Sequence, residues 1–177
     1  MLKILLIIFI VLVLAILAIV GYAATRPDLF ELQRSTSIKA PPEKIYPLIA
    51  NFQNFILWSP FERDPEMKRT FSGPDEGVGA VYAFEGNSNV GAGRIEITGA
   101  TPPNQLVMQL DFLRPMKATN TVTFTLVPKG DSTEVTWAMS GKNSLMAKIM
   151  HVFMNMDKMV GGSFEQGLAD LKTRAEQ

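Results

Sequence analysis

The chain has 177 residues, a formal net charge of zero and no cysteine. That length suits one globular domain, the balanced charge leaves no electrostatic footprint for nucleic acid, and the missing thiols exclude disulfides, thiolate metal sites and a cysteine nucleophile. His151 is the single histidine, so a zinc site built on two or three imidazoles of one chain is excluded, and no metal or other cofactor is expected.

Ile4 to Ala24 is uncharged and almost wholly apolar. As a helix it spans roughly 30 Å, the thickness of a bilayer core. A helix also satisfies its own backbone there, which a loop does not. Tyr22 stands where an interfacial aromatic is expected. Residues 1–24 are therefore read as a single-pass transmembrane anchor, with residues 4–24 in the membrane. The alternative is a cleaved signal peptide, with Lys3 in its positive region and Gly21-Tyr22-Ala23 at the cleavage site. Against it, the apolar run exceeds the usual h-region of about 7–15 residues. The short tail with Lys3 favours a domain on the non-cytoplasmic side, although Arg26, Arg34 and Lys39 count the other way.

Residues 25–31 form a linker, stopped from continuing the helix by Pro27. The domain proper is 32–177. Leu32 to Lys39 reads as a first strand. Pro41-Pro42-Glu43 opens a short helix with Ile45, Leu48 and Ile49 on one stripe, and Asn51 to Phe55 continues as a second. Trp58-Ser59-Pro60-Phe61 is an aromatic turn, expected either to plug the end of a core or to line a pocket mouth. Met67 to Phe71 and Gly77 to Glu85 read as strands, the latter with Val78, Ala80, Tyr82 and Phe84 on one face. Gly86-Asn87-Ser88-Asn89 marks a hairpin before Val90 to Ala100.

The next three strands alternate cleanly. Leu106, Met108, Leu110 and Phe112 share one phase, then Val122, Phe124 and Leu126, then Val135, Trp137 and Met139. Period-two alternation gives one wet and one buried side, as in antiparallel sheets. Leu145 to Leu171 follows as a long helix with Ile149, Phe153, Met156, Val160, Phe164, Leu168 and Leu171 on one stripe. It carries Met146, Met150, Met154, Met156 and Met159, half of the ten methionines. Gly161-Gly162 predicts a kink, because each glycine costs about 1 kcal/mol in a helix interior, and Ser163 to Gln166 has capping-box spacing for a restart. The fold class is α+β: a curved antiparallel sheet of about seven strands around one long C-terminal helix, two short helices after strand 1, and the N-terminal transmembrane helix. The Met-rich half, Leu145 to Val160, is expected to wall a pocket, and Ser163 to Leu171 to be plain packing.

Chemistry-bearing motifs are weak. Gly77-Val78-Gly79 and Gly91-Ala92-Gly93 lack the third glycine and following helix of a dinucleotide site and read as strand-bending glycines. Gly86 to Gly91 misses the G-x-S-x-G spacing by one residue. Asp157 becomes a polar anchor or general acid if it faces the interior, where desolvation raises a carboxyl pKa; otherwise it is a solvated surface residue. Glu85, Arg94, Glu96 and Asp111 lie on the polar phases of their strands. Nothing brings a nucleophile, a base and an oxyanion site together, so no catalytic residue is assigned.

The domain resembles the START-like, helix-grip superfamily SRPBCC, in its polyketide cyclase/dehydrase and lipid-transport branch. The matching words, in order, are Ile38 to Glu43, Trp58-Ser59-Pro60-Phe61, Phe71 to Pro74 with Gly77-Val78-Gly79, Val135 to Met139, Met154 to Met159, and Phe164-Glu165 with Leu168. The resemblance spans Leu32 to Ala175 and implies a cavity between sheet and long helix that takes a hydrophobic small molecule or lipid. It does not by itself imply an enzyme. The expected ligand-binding residues are Trp58, Phe61, Tyr82, Phe84, Met108, Phe112, Phe124, Trp137, Met139, Met150, Phe153, Met154 and Asp157. Two rival readings stand beside this one. One is a cyclase or hydrolase with Asp157, Tyr82 or Arg94 orienting a substrate. The other is an interaction protein with a filled core and an apolar patch around Trp58 and Phe61.

Overall fold

The structure is a computed structural model that describes residues 2–62, 64–88, 90–153 and 156–177, with backbone alone described at 2, 151, 153 and 156. Its elements are α1 (Leu2–Ala24), β1 (Leu29–Ile38), α2 (Pro42–Ala50), α3 (Phe52–Phe55), β2 (Lys68–Ser72), β3 (Val81–Glu85), β4 (Ala92–Thr101), β5 (Gln105–Arg114), β6 (Ala118–Lys129), β7 (Ser132–Lys142), α4 (Leu145–Phe153) and α5 (Met156–Ala175). All seven strands form one antiparallel sheet in the order β1-β7-β6-β5-β4-β3-β2. This is the α+β helix-grip architecture, with α5 on the inner face of the sheet.

Local chemistry accounts for the short helices. Pro42 sits in the first turn of α2, where its missing N–H costs nothing. Asn51 then caps α3, its side chain accepting from the Gln53 amide at 2.8 Å. Together they bury Ile45, Ile49, Phe52 and Phe55. Trp58 closes this end: its indole N–H donates to Leu48 O at 2.8 Å, and its ring meets Phe55, Phe124 and Trp137 edge-on. Trp137 in turn stacks on Phe164 of α5, with centroids 4.1 Å apart and planes 8° apart. Phe164, Leu168 and Leu171 are buried, each contributing on the order of 1.5–3 kcal/mol. This end of the grip is a filled core.

Three expectations are corrected. The kink at Gly161-Gly162 is absent: α5 runs through both residues and Ser163 without interruption, its hydroxyl donating to Met159 O inside the helix. Tertiary packing overrides glycine's poor propensity, because the guanidinium of Arg34 fills the space that a Cβ on Gly161 would need. Gly77-Val78-Gly79 is a turn and not a strand. Gly77 and Gly79 have φ of 79° and 89°, which L side chains rarely adopt, and β3 starts only at Val81. The Met-rich half is described as α4 and the start of α5, and α4 packs against α1. Met146, Met150 and Met159 are exposed there, so they do not wall an enclosed pocket.

The first strand also starts earlier than its apolar pattern suggests, at Leu29. The preceding residues are tied to the domain: Asn143 N donates to Asp28 O at 2.7 Å, and Lys148 Nζ reaches Asp28 Oδ1 at 2.5 Å. Lys148 is buried while Asp28 is exposed. Ser144 caps α4 by accepting from Ala147 N at 3.2 Å.

Candidate functional site

The strand registers build the inner face in rows. Directly paired residues project to the same side of a sheet. One row reads Arg34, Trp137, Phe124, Leu106; the next reads Leu32, Met139, Val122, Met108, Ile97. Then come Phe30, Gly141, Asn120, Leu110, Ile95, Tyr82 and Phe71, and finally Phe112, Gly93, Phe84 and Arg69.

Burial of the aliphatic and phenylalanine side chains falls along this series, while Tyr82 and Asn120 of the third row stay buried. Trp137, Phe124 and Leu106 are buried, as are Met139, Val122, Met108 and Ile97. Phe30, Leu110, Ile95, Phe112 and Phe84 are only half-buried. The inner face is therefore mainly apolar, with Arg34, Asn120 and Arg69 as polar members, filled at the α2–α3 end and partly open at the end where β7 leads into α4. This partly open apolar surface is the candidate site.

Polar groups sit at its margins. Glu62, in the loop before β2, accepts from the Tyr82 hydroxyl at 2.5 Å and from Arg69 Nε at 2.7 Å. Burial pushes the Tyr82 hydroxyl well above the usual tyrosine range, and the adjoining Glu62 carboxylate adds to this. Arg34, on the inward phase of β1, reaches α5, donating to Glu165 at 2.7 Å and to Asp157 Oδ1 at 3.0 Å. Those two carboxylates hold its guanidinium above the usual arginine range. Asn120 is buried on the inner face, and the indole N–H of Trp137 is buried with no hydrogen-bond partner among the described residues.

The expected site residues are distributed as follows. Trp58, Phe124, Trp137, Met108 and Met139 lie in the buried rows or the plug at their end. Tyr82 is buried beside Phe71, with which it stacks at 5.1 Å; Phe84 and Phe112 line the partly open rows. Phe61 is 44% exposed and meets Trp137 and Phe164 edge-on. Met150 is exposed on α4. Asp157 is 69% exposed and paired with Arg34, outside the inner face. Met154 lies outside the described residues, as does the side chain of Phe153.

The three groups proposed to orient a substrate do not converge. Tyr82 points inward, Asp157 stands on the outside of α5, and Arg94 lies on the outer face with Glu96 and Asp111. A shallow recess of about 410 Å³ lies at the β5–β6 hairpin, lined by Arg94, Asp111, Lys117 and Thr119 of the outer phase together with Phe112, Leu113 and Ala118. Trp58 is buried, so it forms no surface patch with Phe61. Among the described residues no cluster of His, Asp and Glu has the arrangement of a metal site.

Sequence reasoning missed Glu62, Arg69, Arg34, Asn120 and Lys148. Three of these carried a signal. Arg34 shares a phase with Leu32 and Ile38, Arg69 with Met67 and Phe71, and Asn120 with Val122 and Phe124, so each is a polar residue on an apolar phase. Glu62 gave none, since the loop that holds it has no periodicity.

Residues 30–176 match the family model described as polyketide cyclase / dehydrase and lipid transport. No curated protein matches the chain. Solved structures share the fold. Protein CV1439 from Chromobacterium violaceum is 16% identical with a TM-score of 0.60, over 86% of this chain and 99% of its own. The Aha1 dimer from Colwellia psychrerythraea is 20% identical with a TM-score of 0.60, over 83% and 96%. BexL, a di-domain ARO/CYC protein from the BE-7585A biosynthetic pathway, is 15% identical with a TM-score of 0.62, over 89% of this chain and 53% of its own.

Proposed function

The chain belongs to the polyketide cyclase / dehydrase and lipid transport family, and from that premise we propose that it is a membrane-anchored binding module for a hydrophobic small molecule or lipid. The observation that carries this reading is the burial gradient on the inner face. Phe30, Phe84, Ile95, Leu110 and Phe112 are apolar, face inward and remain partly exposed, and neighbouring apolar side chains left partly open in this way are the kind of surface that marks a ligand groove. Ligand sites are mostly apolar with a few polar groups that set orientation. Asn120, in the first of the partly open rows, is the polar group on offer. The Glu62 carboxylate is already engaged by Tyr82 and Arg69, which favours a structural role for that cluster over a catalytic one.

The anchor reading rests on α1. Within Lys3–Ala24 an 18-residue stretch has a mean hydropathy of 3.6, and the side chains from Ile4 to Leu17 are turned to the surroundings rather than into the domain. A helix with no polar face and no protein cover calls for a lipid solvent. The tie between Asp28 and Lys148 then holds the domain against the end of the span.

Titration of the purified full-length chain with an environment-sensitive apolar dye tests the binding role. Saturable enhancement that a Leu110→Trp substitution reduces supports it. Enhancement that is linear in dye and equal in both proteins contradicts it.

A further inference from the structure

Helix α4 is inside out. Its cation, Lys148, is buried and bonded to Asp28, while Leu145, Met146 and Met150 are exposed. A surface helix of a water-soluble domain shows the reverse arrangement. The helix also has a defined position. It packs against α1, and in α1 the only shielded side chains among the described residues are Ile19, Val20 and Ala23. Those residues fall in the last turn and a half of a helix about 34 Å long, against a hydrocarbon core of about 30 Å. Taking α1 as a membrane span, the reading on which this inference rests, α4 is at the depth where the acyl chains meet the headgroups. Amphipathic helices that lie in the plane of a membrane bury their apolar face about 5–10 Å at that level.

We propose that α4, together with the β5–β6 hairpin, is a second membrane contact that lays this end of the domain on the lipid surface. The hairpin is at the same end of the sheet, because Phe112 pairs with Ala118, Asn120 with Gly141 and Leu29 with Lys142. It exposes Leu113 and Met116. Basic residues flank both elements in the chain: Arg26 after α1, Arg114 and Lys117 about the β5–β6 turn, and Lys142 before α4. Of the carboxylates at this end, Asp28 is held by Lys148, Glu85 by Arg114, and Asp111 shares a recess with Lys117. An apolar surface bordered by cations matches an anionic bilayer rather than water. The partly open rows of the inner face end at this same edge, which would bring the candidate ligand surface next to the lipid.

The chain has no cysteine, so single-cysteine labelling of the full-length protein is clean. Met146→Cys, Met116→Cys and Asp131→Cys, the last in the turn between β6 and β7 at the opposite end, are each labelled with an environment-sensitive dye. The proteins are reconstituted into vesicles of phosphatidylcholine and phosphatidylglycerol. The expected result is blue-shifted emission at 146 and 116, quenched by lipids carrying a spin label near the headgroup and protected from aqueous iodide, with the opposite at 131. Iodide quenching at 146 and 116 equal to that at 131, in protein that floats with the vesicles, overturns the second contact and leaves the anchor standing. Protein that does not float with vesicles overturns both. A label at 146 already shielded in a detergent-solubilised dimer assigns the face to a second copy and overturns the proposal.

Discussion

The guanidinium of Arg34 occupies the space that a side chain on Gly161 would fill. Arg34 belongs to β1 and Gly161 to α5, so this contact sets how closely the helix lies on the sheet edge. Two ion pairs, to Asp157 and Glu165, flank it.

The two adjacent glycines should therefore respond in opposite ways. Gly162 has open space where its Cβ would be, so Gly162→Ala should stabilise by up to about 1 kcal/mol through helix propensity. Gly161→Ala must displace a guanidinium held by two carboxylates and should destabilise by about 1 kcal/mol or more. In an Arg34→Ala background, Gly161→Ala should turn neutral or stabilising. Urea unfolding of the four proteins measures this; equal effects of the two alanines in the parent would contradict it.

The Glu62–Tyr82–Arg69 cluster predicts a second set of effects. Tyr82→Phe removes a 2.5 Å bond to a nearly buried carboxylate and should cost about 1–3 kcal/mol. Arg69→Ala should cost a similar amount, discounted because Arg69 retains some solvent. Tyr82 has its pKa raised in the folded protein. Its contribution is full below the ordinary tyrosine value near 10 and is lost as the pH rises above it. Tyrosinate absorbance of the parent and of Tyr82→Phe should therefore coincide just above pH 10, about where an ordinary tyrosine ionises; extra tyrosinate in the parent there would refute this.

Acid stability should depend on three surface carboxylates. Hydrogen bonding and Coulomb attraction from Lys148 lower the pKa of Asp28, hydrogen bonds from Gln109 and Thr119 lower that of Asp111, and the Lys39 amide lowers that of Glu176. Each stabilises above its ordinary value, 3.8 for the aspartates and 4.5 for the glutamate. That stabilisation disappears as the pH falls through the lower folded value. Thermal melts should be flat near pH 6 and decline below about pH 4. Asp111→Asn should flatten that decline, and an unchanged acid slope would contradict the assignment.

Much of the fold was legible because its strands obey a strict period. Leu106 to Phe112, Val122 to Leu126 and Val135 to Met139 reveal which side faces the helix, and Phe164, Leu168 and Leu171 reveal the helix face that answers. The continuity of α5 through Gly161-Gly162 was not legible. Propensity favoured a kink there, yet Arg34, far away in sequence, makes Gly161 a packing residue. The orientation of α4 was hidden for a similar reason. Methionines at helical spacing signal an apolar face without saying whether protein or lipid covers it. Within the candidate site, Phe84 and Phe112 were legible from alternation, and Phe30, Ile95 and Leu110 were not separated from the buried core. Alternation shows the side a residue faces and not how far along the grip the helix covers it.

Native mass spectrometry of the full-length chain released gently from membranes tests the central claim most directly. The account predicts a retained apolar adduct of small-molecule or lipid mass that is depleted in Leu110→Trp, whose larger ring fills the partly open row. Parent protein that flies without any adduct, or with the same adducts as Leu110→Trp, would contradict it.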